Sequence, residues 1–95
     1  MATLLIEHPI TDFAVWCAAF NRFAERRRAG GVRAERIYQP VADARYVVIA
    51  LDFPDAEHAE RFHRFLVEEV WPKAAPALAG EPRVTVLEPR VPAVG

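Results

Sequence analysis

One stretch near the middle of the chain constrains the fold more than any other. Residues 46–51 read YVVIAL and are apolar at every position. Because successive side chains of a strand point to opposite faces, a strand with one solvent-exposed face would alternate apolar with polar residues. The run is too short for a core helix, and its β-branched residues favour extended backbone. It therefore predicts a central strand that is covered on both faces, and the question for the rest of the chain is what packs against each face.

Composition limits the classes of function. The 95 residues predict a single domain, 1–95, and the formal net charge of −1 provides no basic field to attract nucleic acid. The apolar start is interrupted at Glu7, too early for a signal peptide or a membrane span, so we expect no membrane partner. The single cysteine, Cys17, cannot form an internal disulfide, which fits a reducing cytoplasm.

The first half of the chain predicts a strand, a helix and a second strand. Residues 3–8 (TLLIEH) are apolar towards both faces, and Pro9 ends the pairing. Thr11 is the expected N-cap of a helix that runs to Arg28, with an aromatic stripe at spacings of three and four that favours core packing. The glycines at 30 and 31 offer left-handed positions after its end. Residues 32–39 are more polar, as expected of an edge strand.

The second half repeats this pattern after the central strand. Asp55 is the expected N-cap of a second helix, which Pro72 should break or kink at Trp71. Residues 73–79 predict a short turn or helix, residues 83–87 (RVTVL) the last strand, and residues 88–95 a C-terminal tail or arm.

This order, β-α-β-β-α-β, predicts an α+β, ferredoxin-like fold with a four-stranded antiparallel sheet. Right-handed crossovers place both helices on one face, so the other face should present rows of Val, Ile or Leu to water. Leaving about 500 Å² of apolar surface exposed would cost on the order of 12 kcal/mol, comparable with the whole stability of such a domain. We therefore expect a homodimer that packs sheet against sheet into a barrel.

Three stretches carry a resemblance to a known family. Residues 11–20 (TDFAVWCAAF), 29–53 (AGGVRAERIYQPVADARYVVIALDF) and 75–89 (APALAGEPRVTVLEP) resemble the helix start, the middle and the closing strand of dimeric α+β barrel proteins, including antibiotic biosynthesis monooxygenase-like proteins. The resemblance implies a fold, and for some members oxidation of aromatic molecules without a cofactor, haem degradation or polyketide cyclisation. The chain departs from the haem-degrading pattern, since its first strand has no Asn, and from the monooxygenase pattern, since Phe53 stands where Trp is common.

The candidate catalytic residues are His8, Tyr38, Tyr46 and Trp71. His8 ends a central strand and could face a cavity, or could bond a loop beside Pro9. Trp71 could line an opening or cover the core. The two tyrosines could position a phenol, or could form ordinary cross-strand pairs.

Arg36, Arg45 and His63 are candidate ligand-binding residues. The guanidinium groups could bind a phenol or a carboxylate, and His63 could act as a general base at the mouth of the barrel. Solvated or structural roles explain each of them as well, and the same holds for His58. The two helical histidines are five residues apart, which is not the spacing of paired metal ligands, so no metal site is expected.

Two functions remain open. The first is a non-enzymatic dimeric binding or scaffold module. The second is a cofactor-independent monooxygenase or cyclase acting on a small aromatic or polyketide-like molecule in the barrel interior, with molecular oxygen as the oxidant of any oxidation. Neither needs a bound cofactor, and the expected ligand is small and apolar or aromatic. A cavity of roughly 300 Å³ or more with convergent polar groups would favour the enzyme.

Overall fold

The structure is a computed structural model, and it describes residues 1–74 and 77–92. Within these ranges the elements follow in the expected order. They are β1 (Ala2–Pro9), α1 (Phe13–Arg22), α2 (Ala24–Ala29), β2 (Ala34–Tyr38), β3 (Tyr46–Phe53), α3 (Ala56–Phe65) with a following π-helical turn (Leu66–Val70), and β4 (Arg83–Leu87).

The four strands form one antiparallel sheet in the order β2-β3-β1-β4. The two strands with apolar residues on both faces, β1 and β3, are therefore its central pair. Leu4 stands opposite Leu51, and Ile6 opposite Ile49. This arrangement confirms the α+β, ferredoxin-like fold class and the central position of the YVVIAL stretch.

One face of the sheet packs against the helices. Along β1 the burial alternates strictly, with residues 2, 4, 6 and 8 buried and the residues between them half-buried. In β3, the side chains that share this face are also buried. They form the core with Trp16 of α1, with Phe62 of α3 and with two side chains of the π-helical turn.

The first helical segment differs from the prediction in two ways. Asp12, not Thr11, is the N-cap, because its carboxylate accepts a hydrogen bond from the Val15 N–H at 3.1 Å. The segment is also two helices, since the backbone of Phe23 leaves helical geometry at φ −106°, ψ 16°. Of the two glycines predicted to be left-handed after the segment, Gly31 is, at φ +98°, whereas Gly30 keeps right-handed angles at φ −77° as the C-cap of α2.

The second helical segment begins as predicted and ends differently. The carboxylate of Asp55 caps α3 by accepting from the His58 N–H at 2.8 Å. After Phe65 the helix widens, and the Trp71 N–H bonds the Leu66 carbonyl five residues earlier at 2.9 Å. The π-helical turn ends before Trp71, as Pro72 predicts, although Trp71 itself keeps helical backbone angles.

The other face, which we call the open face, is less apolar than predicted. Leu5, Val48, Ala50 and Leu87 contribute apolar side chains, but two polar clusters lie among them. The expectation of rows of Val, Ile and Leu was wrong, because Thr3 and Glu7 of β1 and Asp52 of β3 share this face. These clusters are described below.

The end of the chain agrees with the prediction where it is described. β4 has the predicted bounds, and residues 88–92 contain no helix or strand. Part of the predicted turn at 73–79 and the last three residues of the tail lie outside the described residues. In the part of the chain that the structure describes, no helix combines the length and the apolar character needed to cross a bilayer.

Candidate functional site

A cavity of about 60 Å³ lies between the helices and the sheet. Its wall is almost entirely apolar and is rich in aromatic rings; the rings of Trp16 and Phe20 stack with their centroids 4.8 Å apart. The stripe of α1 thus packs against the core, as predicted, and is also part of a cavity wall. The two charged or titratable side chains of the lining are His8 and Arg27.

His8 is the last inward-facing residue of β1 and is 2% exposed. Its Nδ1 lies 3.0 Å from the carbonyl oxygen of Pro9, which can only accept. Nδ1 therefore carries the proton, and Nε2 of the neutral ring is an acceptor. Burial lowers the pKa of His8 below its usual value, against the opposing effect of the bond to Pro9. Among the described residues, none forms a hydrogen bond with Nε2, and His8 lines the cavity.

Arg27 is a second polar group in the wall, and it is 6% exposed. Its guanidinium lies over the Phe20 ring, 3.5 Å from the centroid, and donates to the Phe20 carbonyl and to the Glu35 carboxylate. The bond to Phe20 satisfies a carbonyl at the end of α1, where the helix breaks. Sequence reasoning missed Arg27 as a site residue, although its spacing of four from Phe23 and seven from Phe20 puts it on the same face of a helix as the aromatic stripe.

The π-helical turn forms one side of the cavity. Leu66, Val70 and Trp71 all line it, because the wider turn brings these three positions towards the sheet. The Trp71 ring meets the His63 ring edge-on, with centroids 6.1 Å apart. His63 thus supports a lining residue without lining the cavity itself.

The open face holds the other candidate residues in two polar clusters. In the first, Arg36 binds Asp52 through two hydrogen bonds of 2.8 and 3.0 Å, and the Thr3 hydroxyl donates to the same carboxylate at 2.7 Å. The bonds from Arg36 and then Thr3 hold the pKa of Asp52 below its usual value. In the second, the Tyr46 hydroxyl donates to Glu7 at 2.8 Å, and this bond raises the pKa of Tyr46.

The predicted site residues therefore divide between the two faces of the sheet. His8 and Trp71 come together at the cavity, whereas Tyr38, Tyr46 and Arg36 lie across the sheet from it. Arg45 is exposed beside the β2–β3 hairpin. A single site built from His8, Trp71 and the two tyrosines is not formed within one protomer, because alternate residues of β1 and β3 point to opposite faces.

The cavity suits a small molecule and little else. Its volume is well below 300 Å³ and below the ~150 Å³ of an apolar cavity that admits benzene, so a single ring enters only if neighbouring side chains shift. Within the described ranges, no three His, Cys, Asp or Glu side chains are grouped so as to hold a metal ion. The polar chemistry available there is one hydrogen-bond acceptor and one guanidinium.

Comparison with known proteins gives a likeness of fold. No protein-family model matches the chain, and no curated protein matches it. Among solved structures, a conserved protein from Methanosarcina mazei has a TM-score of 0.75 at 11% identity, covering 94% of this chain and 92% of that one. An antibiotic biosynthesis monooxygenase has a TM-score of 0.65 at 17% identity, covering 97% and 100%.

A third similar structure is SnoaB from Streptomyces nogalater, described as a cofactor-independent oxygenase. It has a TM-score of 0.71 at 16% identity and covers 96% of this chain and 94% of that one. The resemblance inferred from the sequence is thus confirmed as a resemblance of fold to the antibiotic biosynthesis monooxygenase-like structures.

Proposed function

We propose that the protein binds a small, largely apolar molecule carrying one hydroxyl group, in the cavity between the helices and the sheet. The observation that supports this most directly is His8, a buried imidazole whose Nδ1 is held by Pro9 and whose Nε2 is left as an acceptor. An apolar wall excludes water and rewards the burial of a ring, while a single acceptor fixes its orientation.

The environment of His8 favours hydrogen bonding over proton removal. A general base must become an imidazolium ion, and burial disfavours that ion. Arg27 lines the same cavity, but its guanidinium is already paired with the Glu35 carboxylate. Binding of a hydroxylated ring therefore fits the cavity better than base catalysis does.

Phenol and toluene form a matched pair of probes for this proposal, because they differ by the hydroxyl group. Titration followed by NMR should give phenol about five- to tenfold tighter binding, the value of roughly one hydrogen bond. In His8→Phe this preference should disappear, and in the control His58→Phe, at a histidine that does not line this cavity, it should remain. Failure of both probes to bind, or a preference that survives His8→Phe, would contradict the proposal.

We also infer that the protein acts as a homodimer joined through the open face. Four strands about 4.8 Å apart and some six residues long give this face a projected area of roughly 400 Å². The accessible surface is larger, because the side chains project from the sheet. Two copies then bury close to the ~1,000 Å² of the smallest specific interfaces. Arg36 and Asp52 already form an ion pair within the protomer, and this lowers the desolvation free energy of burying the two charges in an interface. The reducing cytoplasm expected from Cys17 stays a prediction.

Cofactor-independent oxygenation is the second candidate function, and the observation favouring it is the likeness to SnoaB. His8 would accept the ligand's hydroxyl proton, and molecular oxygen would be the oxidant. In the test reaction hydroquinone gives two electrons and two protons to O₂, forming benzoquinone and hydrogen peroxide, so oxygen consumption measured against the uncatalysed rate reports oxidation of the ligand by O₂. If oxygen consumption is lost in a His8 variant, the protein is better described as an enzyme than as a binding module. If the rate equals that of buffer without protein, catalysed oxidation of hydroquinone is excluded.

A further inference from the structure

A second concave site lies on the outer side of the helical layer. It is a groove of about 390 Å³, between the end of α2 with its glycine turn and one side of α3. This volume is within the range of small-molecule sites in proteins. The residues that line it are Arg26, Ala29, Gly30, Gly31, His58, Arg61, Phe62 and Phe65.

The polar side chains that line this groove are basic, and none of the lining residues is acidic. Arg61 and His58 each contact one carboxylate outside the lining, at 2.9 and 2.7 Å. Arg26 forms no ion pair with any residue that the structure describes, and its guanidinium lies 5.6 Å from the Phe65 ring centroid. The guanidinium of Arg26 is thus a fixed positive charge held at the groove without a counter-ion from the described chain.

The remaining surface of the groove is apolar and closely fitted. Phe62 and Phe65 form an aromatic pair with centroids 5.4 Å apart. A Cβ atom on Gly30 would lie 2.6 Å from the Phe62 ring, and one on Gly31 would lie 3.3 Å from the His58 ring. These two glycines therefore let the backbone approach the rings, and a side chain at either position would intrude on the same space.

A basic rim beside an aromatic floor is complementary to a particular kind of molecule. A carboxylate or phosphate group would meet the guanidinium of Arg26 through charge-assisted hydrogen bonds, while Arg61, which also lines the groove, stays paired with Glu57. An attached ring would cover the half-buried Phe65, because Phe62 beneath it is only 4% exposed. We propose that this groove is a binding site for a small aromatic anion, separate from the interior cavity.

Phenyl phosphate, inorganic phosphate and phenol test the proposal with the full-length protein. In ¹⁵N-edited NMR spectra, phenyl phosphate should shift the amides of Gly30, Gly31 and Arg61. It should bind at least about fivefold more tightly than inorganic phosphate, because only phenyl phosphate uses the aromatic floor. Phenol should instead shift the signals of residues around His8.

Three variants distinguish a specific binding site in the groove from general attraction of anions to a positively charged surface. Arg26→Gln should weaken phenyl phosphate binding about fivefold or more, since it removes one charge-assisted bond, and Arg26→Lys should restore part of it. Arg64→Gln is the matched control, because Arg64 is an exposed cation of α3 that does not line the groove. Equal weakening by Arg64→Gln, or equal affinity for phosphate and phenyl phosphate, would overturn the proposal. So would shifts confined to the interior cavity.

Discussion

Two adjacent leucines of β1 give a direct test of the two-faced sheet. Leu4 is 0% exposed and faces the helices, whereas Leu5 is half-buried on the open face, opposite Ala50 and Thr85. The substitutions Leu4→Asp and Leu5→Asp introduce the same carboxylate one residue apart. We expect Leu4→Asp to unfold the protein and Leu5→Asp to leave a folded monomer.

The structure sets the expected magnitudes. Truncating a fully buried leucine costs about 2–5 kcal/mol, and an unpaired carboxyl group in the core adds several kcal/mol more. The sum is comparable with the whole stability of a domain of this size, about 5–15 kcal/mol. Leu5 is only half-buried, so the protomer should lose about 1–2 kcal/mol. In a sheet-to-sheet dimer, however, the new charge would lie against the partner's apolar residues and would cost several kcal/mol.

Circular dichroism and size-exclusion chromatography with light scattering separate these outcomes. The wild-type protein should have the mass of a dimer and a melting temperature that rises with protein concentration. Leu5→Asp should retain the far-ultraviolet spectrum at the mass of a monomer, whereas Leu4→Asp should lose the spectrum. A Leu5→Asp variant that remains dimeric at the wild-type affinity would refute the assignment of the open face as the interface.

Three further predictions follow from individual side chains. Because folding lowers the pKa of His8, the unfolded state binds the proton more readily than the folded state does. The contribution of neutral His8 to the free energy of unfolding is therefore present above pH 6.5 and lost as the pH falls below it. Urea denaturation should show that His8→Gln loses less stability than the wild type between about pH 7.5 and pH 5. The pKa of Asp52 is also lowered on folding, so the stabilisation by its carboxylate is present above pH 3.8 and lost at lower pH. Asp52→Asn should lower the free energy of unfolding by about 1–2 kcal/mol at neutral pH, because the half-exposed Arg36 limits the strength of the ion pair. An unchanged unfolding midpoint in urea would contradict this. Gly31→Ala should cost about 1–2 kcal/mol, since the residue has φ +98° and its new methyl group would press on His58, and a melting temperature equal to the wild type's would disagree with it.

The sequence predicted the architecture because the fold depends on patterns that repeat along the chain. The doubly apolar YVVIAL run placed β3 at the centre, and the N-cap at Asp55 and the bounds of β4 were local signals. The first N-cap was misplaced by one residue, because Thr11 and Asp12 are both good caps and the choice depends on a single hydrogen bond. Local propensity could not give the break at Phe23, beside which the Phe20 carbonyl accepts hydrogen bonds from the Phe23 N–H and from Arg27.

The candidate site was less predictable, because it depends on which face each residue occupies. His8 and Trp71 were identified from their places at the ends of elements, and both line the cavity. Tyr46 was grouped with them although it is bonded to Glu7 on the other face. Arg27 was passed over because a cation at a helix end is usually solvated. Its burial depends on contacts with Phe20 and Glu35 that no short stretch of sequence specifies.

The π-helical turn makes the shape of the cavity sensitive to chain length. Such a turn holds one residue more than an α-helical turn of the same rise, so it corresponds to a single inserted residue. Deletion of Glu68 or Glu69, both exposed, would restore α-helical bonding and leave Trp71 at about the same angular position, because the shorter α-helical turn completes the same revolution with one residue fewer. Loss of one codon in this segment would thus remove the widening beside the cavity while Trp71, the strands and their register remain in place. Ligand preference in proteins of this kind can therefore diverge through single-residue insertions and deletions in the helix, as well as through substitution.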